Sequence, residues 1–197
     1  MIPSSISNYY KWHAPIYDFT RWSFLFGRSS LMHHFPLLAD NASILDLGCG
    51  TGAITEVLCY SYPESEIIGL DASSHMLERA KSRNLQNVSW IHQPYQSNSF
   101  DNGQFDLITA SYSLTMMNDI EQVLHAIKMH LKPDGKLVVV DFDSTPFPQF
   151  SKWMKRNRVN FDVQLFNKLE KGFAATSIQT QSAFGGLYSY STFVGSK

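Results

Sequence analysis

The segment from Ile44 to Thr55, ILDLGCGTGAIT, constrains the fold of this chain more than any other part of the sequence. A run of β-forming residues leads directly into a turn with three glycines, and an apolar helical pattern follows. This order is typical of a buried strand, a tight turn and a helix that packs back on the strand. Sheets built from such units bind nucleotides beyond the carboxyl ends of their strands. We therefore predict a parallel α/β sheet with a nucleotide site at this turn.

The rest of the chain alternates predicted strands and helices, as a parallel sheet requires. Strands are predicted at residues 43–47, 66–70, 88–92, 105–111 and 137–142, and helices at residues 53–60, 75–83 and 148–171. One more helix is predicted after Asn118, which would cap it while Glu121 completes a capping box.

The end of the chain has a different pattern. SIQTQSAF and LYSYSTFV alternate like strands, and Gly185-Gly186 between them predicts a tight two-residue hairpin. The predicted fold class is therefore α/β: a three-layer Rossmann-like sheet, mostly parallel, with a C-terminal antiparallel hairpin and helices on both faces.

Composition limits the partners and the compartment. The 197 residues predict one domain, and 16 basic against 17 acidic side chains give no sign of a nucleic-acid partner. The sequence shows no secretory signal and no apolar run near the ~20 residues that span a bilayer. Two cysteines, Cys49 and Cys59, do not form a disulfide framework. We expect a cytoplasmic protein with reduced thiols.

The glycine turn by itself does not identify its nucleotide. Gly48-x-Gly50-x-x-Ala53 satisfies the dinucleotide fingerprint, in which alanine is tolerated at the third place. Asp71 follows Gly50 by 21 residues, where an acid holds ribose hydroxyls in either kind of nucleotide. In the alternative interpretation, the turn serves packing alone and Asp71 caps a helix, although Ser73 or Ser74 can also provide that cap.

Asp46 favours one kind of nucleotide over the other. Its carboxylate precedes the first glycine by two residues, and a pyrophosphate close to it would place anions together where water is scarce. An adenosine ligand with a cationic tail avoids this cost. S-adenosylmethionine has such a tail, and its carboxylate can use N–H groups of the turn and the helix start.

Four segments between Ser43 and Phe142 occur in a fixed order: ILDLGCGTG, IIGLDASSHMLERAK, FDLITASYSL and LKPDGKLVVVDF. On these segments the sequence resembles the class I S-adenosylmethionine-dependent methyltransferases of the small-molecule type. The resemblance implies that Asp46 and the backbone of Gly48 and Gly50 face the methionine moiety, that Asp71 holds the ribose, that Ala72 and Met76 line the adenine, and that Ser111 lies near the methyl group. Cys49, within the turn, is also predicted to bind the cofactor.

The chain departs from the family pattern after the third strand. An acidic residue that meets the adenine amine is frequent there in the family, and in this chain the position falls at Pro94. Proline has neither a polar side chain nor an N–H group. The backbone N–H of Tyr95 can still face the ring, and Gln93 or Gln96 can accept from the amine. In the alternative, the loop is shifted and neither glutamine touches adenine.

The first forty residues are predicted to form an N-terminal helical lid, and residues 41–197 the cofactor-binding core. The lid is rich in aromatic residues, and Tyr17 in APIYDFTRW resembles a tyrosine that lies over the cofactor in related methyltransferases. Three interpretations stay open: aromatics that fill the core, an aromatic pocket for a cation, and a surface that meets lipid. The segment also bears a loose resemblance to methyltransferases of quinone precursors and lipid amines.

The resemblance implies methyl transfer to an N or O atom of a small-molecule or lipid-headgroup acceptor. Tyr10, Trp22 and Tyr112 are the predicted acceptor-facing residues, with a buried core role as the alternative for Tyr112. No catalytic residue and no metal site is predicted, since methyl transfer needs alignment above all. The competing functions are an NAD(P)-dependent reductase and a non-catalytic protein that binds the cofactor.

Overall fold

The computed structural model describes residues 25–28, 31–161 and 164–197, so most of the predicted lid lies outside the described residues. Its strands are β1 (Ser43–Leu47), β2 (Glu66–Asp71), β3 (Val88–His92), β4 (Phe105–Ser111), β5 (Leu131–Ser144), β6 (Ala174–Ala183) and β7 (Tyr188–Ser196). Its α-helices are α1 (Ala53–Ser61), α2 (Ser74–Lys81), α3 (Ile120–His130), α4 (Pro148–Arg156) and α5 (Leu165–Gly172).

The strands form one sheet in the order β3-β2-β1-β4-β5-β7-β6. The first five strands along the chain pair in parallel, and β7 runs antiparallel to both β5 and β6. The predicted α/β class, with a mostly parallel sheet and a C-terminal hairpin, is confirmed. The strand order reverses between β1 and β4, and such a switch point is where open α/β sheets form their binding crevice.

The central strands of the sheet are buried on both faces. Alternate residues of the central strands enter two separate hydrophobic clusters: Ile44 and Val138 pack with α1 and α4, and Leu45 and Val139 pack with α3 and α5. Side chains that alternate between two covered faces explain why these strands read as continuous apolar runs.

The N-cap of α3 lies one residue later than predicted. Asp119, not Asn118, accepts a hydrogen bond from the backbone N–H of Gln122 through its side chain. The predicted capping box is therefore wrong, and the Glu121 side chain forms an ion pair with Lys168 of α5 instead. Aspartate and asparagine cap equally well, so the sequence alone does not fix which of two neighbours is the cap.

The predicted helix over residues 148–171 is two helices, α4 and α5. Arg158 has a φ of 67°, a left-handed conformation that ends α4. Val159 is buried directly after it, and the backbone N–H of Asn160 donates to the carbonyl of Thr115. The break therefore allows the chain to pack against the turn that follows β4.

The C-terminal hairpin has a longer connection than the predicted two residues. The last cross-strand pair is Ala183 with Tyr188, so four residues connect the strands. Phe184, Gly185 and Gly186 all have positive φ, which makes a wider turn than a Gly-Gly pair alone.

Trp90 in β3 connects the edge of the sheet to the glycine turn. A Cβ added at Gly69, its neighbour in β2, would lie 2.5 Å from the indole ring, and one at Gly52 would lie 2.8 Å from Trp90 Cη2. The absence of side chains at both glycines thus creates the space that the indole fills.

We expect Gly69→Ala to lower the free energy of unfolding by about 1–3 kcal/mol, because the new methyl group overlaps the Trp90 ring. Urea titration followed by circular dichroism measures this change. Gly172→Ala is the control, since no atom lies within 4 Å of its added Cβ. Equal effects of the two substitutions would contradict the packing role of Trp90.

Candidate cofactor site

The turn between β1 and α1 requires glycine for its shape. Gly48, Gly50 and Gly52 have φ values of 71°, 57° and 77°, in the left-handed region that other residues rarely adopt. A Cβ at Gly48 would also lie 2.4 Å from Ser113 Cβ. Ser113 itself is fixed, since its hydroxyl donates to the carbonyl of Leu47 at 2.8 Å. The turn therefore packs closely against the end of β4.

Backbone N–H groups of the turn donate to acceptors within the protein. Those of Gly48 and Cys49 donate to the carbonyl of Leu70 at 2.8 and 3.0 Å, and that of Gly52 donates to the carbonyl of Cys49 at 2.9 Å. The Gly50 N–H donates to Asp71 Oδ2 at 2.9 Å. In this arrangement these four groups do not form a cradle for a phosphate. At the start of α1, the N-cap residue Gly52 provides no side-chain cap.

Asp71 ends β2 and is held by two N–H groups. Besides Gly50, the backbone N–H of Ser73 donates to its Oδ1 at 2.8 Å. Ser73 caps α2, because its side chain accepts a hydrogen bond from the backbone N–H of Met76. The sequence had offered Ser73 and Ser74 as the possible caps other than Asp71. The two bonds from Gly50 and Ser73 orient the carboxylate of Asp71 at the end of β2.

Asp46 lies in β1 with its carboxylate buried beneath the turn. Thr55 Oγ1 donates to its Oδ2 at 2.6 Å, and Thr109 Oγ1 donates to its Oδ1 at 3.1 Å. Burial raises its pKa to about 6, although the two threonine hydroxyls and the positive charge of Arg28 oppose the shift. The nearby charge of Asp71 raises this pKa further. Above that pH the site holds two carboxylates close to the glycine turn.

Arg28 is a residue of this site to which sequence reasoning gave no role. Its Nε donates to Ser111 Oγ at 3.4 Å, and its charge lowers the pKa of Asp46. Ser111 ends β4 and is nearly buried. The sequence offered one sign of such a role: Arg28 is a basic residue in the aromatic N-terminal segment that the resemblance places over the cofactor. Arg28 therefore brings one positive charge to the site that also holds the carboxylates of Asp46 and Asp71.

Cys49 contributes a buried, neutral thiol to the turn. Burial and the charges of Asp46 and Asp71 raise the pKa of this thiol well above its usual range. A Cβ added at Gly69 would lie 3.3 Å from its Sγ, so the thiol packs against β2. Its predicted role in cofactor binding stays a prediction.

The predicted adenine-side residues differ in exposure. Ala72 is exposed and its carbonyl accepts from His92 Nε2 at 3.1 Å, whereas Met76 is buried in α2. Pro94 is exposed beyond β3. Gln93 lies beside the end of β2, because its N–H donates to the carbonyl of Asp71 at 3.2 Å.

Tyr95 points into the core. Its hydroxyl donates to His130 Nδ1 at 2.8 Å, and burial lowers the pKa of His130. Gln96 closes a small turn through its N–H, which donates to Ser99 Oγ. The adenine contacts of Pro94 and Tyr95 stay predictions.

Tyr112 is buried in the core, as the alternative to an acceptor-facing role expected. Its ring is buried against Phe142, with centroids 4.7 Å apart, and its hydroxyl donates to the carbonyl of Phe26. The acceptor-facing role of Tyr112 stays a prediction. Tyr10, Tyr17 and Trp22 lie outside the described residues. Within residues 25–28, 31–161 and 164–197, no group of three or more His, Cys, Asp or Glu side chains is placed to hold a metal ion.

Comparison with known proteins shows which proteins this chain is similar to. Residues 44–135 match the family described as "Methyltransferase domain". Trans-aconitate 2-methyltransferase of Deinococcus radiodurans is 36% identical over 98 residues, which cover 50% of this chain and 37% of that protein. Demethylmenaquinone methyltransferase of Lactococcus lactis is 36% identical over 115 residues, covering 56% and 46%. The chain thus matches less than half the length of these relatives.

A solved structure extends the likeness to the fold. Geranyl diphosphate C-methyltransferase from Streptomyces coelicolor, in complex with S-adenosyl-L-homocysteine, aligns with a TM-score of 0.73 at 15% identity. The alignment covers 86% of this chain and 78% of that one. This alignment shows a shared fold. The family model and the sequence relatives confirm the resemblance drawn from the four sequence segments.

We expect Asp46→Asn to raise the free energy of unfolding at pH 7.5 by about 1–3 kcal/mol. The pKa of Asp46 in the folded protein is about 6, above the ordinary aspartate value of 3.8. Between pH 3.8 and 6, Asp46 is therefore protonated more in the folded than in the unfolded protein. The cost of the buried Asp46 charge therefore falls as the pH falls from about 7 to 4, and the advantage of the variant over the wild type disappears over the same range.

Urea titrations at several pH values, with the exposed Asp40→Asn as control, measure this difference. Asp141, whose pKa burial also raises to about 6, is present in both proteins and cancels in the comparison. A variant that is less stable than the wild type at pH 7.5, or a difference that does not change with pH, would contradict the account of Asp46.

Proposed function

We propose that this chain, which carries a class I S-adenosylmethionine-dependent methyltransferase domain, transfers the methyl group of S-adenosylmethionine to an N or O atom of a small-molecule or lipid-headgroup acceptor. One observation carries the choice of cofactor. Two carboxylates, Asp46 and Asp71, flank a glycine turn whose N–H groups at Gly48, Cys49, Gly50 and Gly52 donate within the protein.

Charge separates the two nucleotide classes. A pyrophosphate would have to approach two carboxylates without the turn N–H groups that compensate its charge in dinucleotide sites. The ammonium and sulfonium groups of S-adenosylmethionine are instead attracted to these carboxylates. This argument disfavours the NAD(P)-dependent reductase, the first alternative function.

The described residues offer a partner for each part of the proposed cofactor. The ribose hydroxyls would donate to Asp71, which two N–H groups already orient. The cofactor carboxylate would lie between the uncapped start of α1 and the guanidinium of Arg28. Ala72 and Met76 would line the adenine, and Ser111 would lie near the methyl group, as the resemblance implies.

The chemistry places a limited demand on the protein. The bound cofactor supplies an electrophilic methyl carbon, and the protein must align an acceptor lone pair with it and exclude water. Alignment of this kind can account for about 7–11 kcal/mol of the barrier. An amine acceptor must also lose its proton before it attacks, which a dry pocket favours because it disfavours the charged form.

Transfer of radiolabelled methyl from S-adenosylmethionine to panels of amines, carboxylates and quinols tests the function. We expect incorporation into one of these small-molecule classes. Cofactor binding without transfer to any class would favour the non-catalytic alternative. Oxidation or reduction of a nicotinamide cofactor with no methyl transfer would favour the reductase.

We expect Asp71→Ala to weaken binding of S-adenosylhomocysteine by about 1–3 kcal/mol, because the ribose hydroxyls lose their acceptor. Isothermal titration calorimetry measures the dissociation constant. Asp134→Ala is the matched control, because Asp134 is exposed and lies in β5 between Leu131 and Lys136, two residues that pair with β4. Unchanged affinity in the Asp71 variant would show that the ribose does not bind at the end of β2.

A further inference from the structure

Exposed aromatic side chains are concentrated at one corner of the described molecule. Phe26, Phe147, Trp153 and Phe184 are between 43% and 50% exposed, and we call these four side chains the edge patch. Among the described residues one other large aromatic side chain, Tyr60, is exposed, at the end of α1. Large apolar side chains exposed together usually mark a surface that meets another phase or molecule.

Ring contacts connect the edge patch to the core. Phe26 meets Phe184 edge-on with centroids 5.1 Å apart, and Phe184 lies 6.1 Å from Tyr188. Tyr188 stacks with Phe150 at 6.1 Å, and Phe150 stacks with Trp153 at 5.7 Å. The exposed rings are therefore held on a packed aromatic base.

Phe147 belongs to the same corner through the backbone. Thr145 Oγ1 donates to the carbonyl of Leu187 in the hairpin connection at 2.6 Å, and it accepts from the Phe147 N–H at 3.2 Å. The start of α4 and the hairpin connection are thus joined, so the edge patch combines three chain segments into one surface.

Basic side chains predominate around the edge patch, although Asp143 and Asp162 flank residues 144–161 in the sequence. Residues 144–161 include four exposed basic side chains, Lys152, Lys155, Arg156 and Arg158, and no acidic residue. Residues 25–28 and 183–189, which complete the corner, also contain no acidic residue. The whole chain has a net charge of −1, so this local excess is not a property of the composition.

The basic and aromatic side chains of α4 share its outer surface. Trp153 and Arg156 are three residues apart and so are neighbours on the helix, while Met154 is buried on the inner side. Half-buried aromatics beside Lys and Arg match the boundary between the headgroups and acyl chains of a bilayer. Basic clusters also favour membranes that contain anionic lipids.

We propose that the edge patch docks this protein on the surface of a bilayer that contains anionic lipids. Docking is peripheral, since no helix of the described residues is long and apolar enough to cross a membrane. The four aromatic side chains enter the interface, and the basic side chains of α4 contact lipid phosphates. This inference does not depend on the proposed methyl transfer.

The edge patch lies at the same edge of the sheet as the candidate cofactor site. Ser144 at the carboxyl end of β5 pairs with Ser189 at the start of β7, so the hairpin connection projects beyond that end. Because β1, β4 and β5 are parallel, their carboxyl ends share this edge. Docking would therefore turn the site-bearing edge of the sheet toward the bilayer.

Flotation of the full chain with phosphatidylcholine vesicles, with and without phosphatidylglycerol, tests the proposal. We expect binding to the anionic vesicles that weakens as salt concentration rises, and little binding to the neutral ones. Equal recovery with both kinds of vesicle, or no recovery with either, would overturn the proposal.

Two pairs of variants locate the surface. Trp153→Ser with Phe184→Ser removes apolar contacts, and Lys152→Glu with Arg156→Glu reverses two charges; each pair is expected to reduce vesicle binding about tenfold or more. The matched controls are Tyr60→Ser with Leu37→Ser, and Lys81→Glu with Lys171→Glu, which are exposed elsewhere. Equal losses in the test and control pairs would overturn the assignment to the edge patch.

Three further measurements distinguish a loss of docking from a loss of folding and from self-association. A variant is folded if its thermal unfolding and its binding of S-adenosylhomocysteine match those of the wild type. If the serine variant does not fold, the charge-reversed variant still tests the proposal. Sedimentation without lipid detects a second copy as the occupant. Self-association that Phe184→Ser abolishes, with vesicle binding unchanged, would overturn the proposal in favour of a dimer.

Discussion

The hydrogen bonds between the glycine turn and the end of β2 determine the rest of the site. Leu70 accepts two N–H groups of the turn, and Asp71 accepts a third from Gly50. These bonds fix the turn against the switch point of the sheet, where the strand order reverses. They also use the donors that a dinucleotide would need, so in our proposal the interactions that build the turn also disfavour a dinucleotide.

The ionised carboxylate of Asp46 is buried, and its burial reduces the stability of the folded protein at neutral pH. Thr55 and Thr109 satisfy both carboxylate oxygens, yet burial still raises the pKa to about 6. A cation bound near the carboxylate would recover part of this cost, because it stabilises the ionised form. Stability given up at a site of this kind is expected where binding restores it. Arg28 supplies part of the compensation within the protein.

Sequence reasoning located regular elements better than the contacts between them. Strands 43–47, 88–92 and 105–111 were predicted with the bounds found, since buried β-forming runs limited by turns leave little choice. The cap of α3 moved from Asn118 to Asp119, and the helix at 148–171 divided, because neighbouring residues had equal propensity and tertiary packing decided. Its spacing to the glycines singled out Asp71, and the structure places its carboxylate against Gly50, while its ribose contact stays a prediction. The contact of Arg28 with Ser111 joins residues 83 positions apart and left no local pattern.

The proposed cofactor, acceptor and bilayer all lie at one edge of the sheet. The central claim of the account is that the two carboxylates beside the glycine turn select a cationic adenosine ligand there. Isothermal titration calorimetry with S-adenosylmethionine, S-adenosylhomocysteine and NAD, each added to the same preparation, tests this claim most directly. The account predicts micromolar binding of the first two and none of NAD. Binding of NAD alone would show that the carboxylates at Asp46 and Asp71 do not select a cationic adenosine ligand, and the account would be wrong.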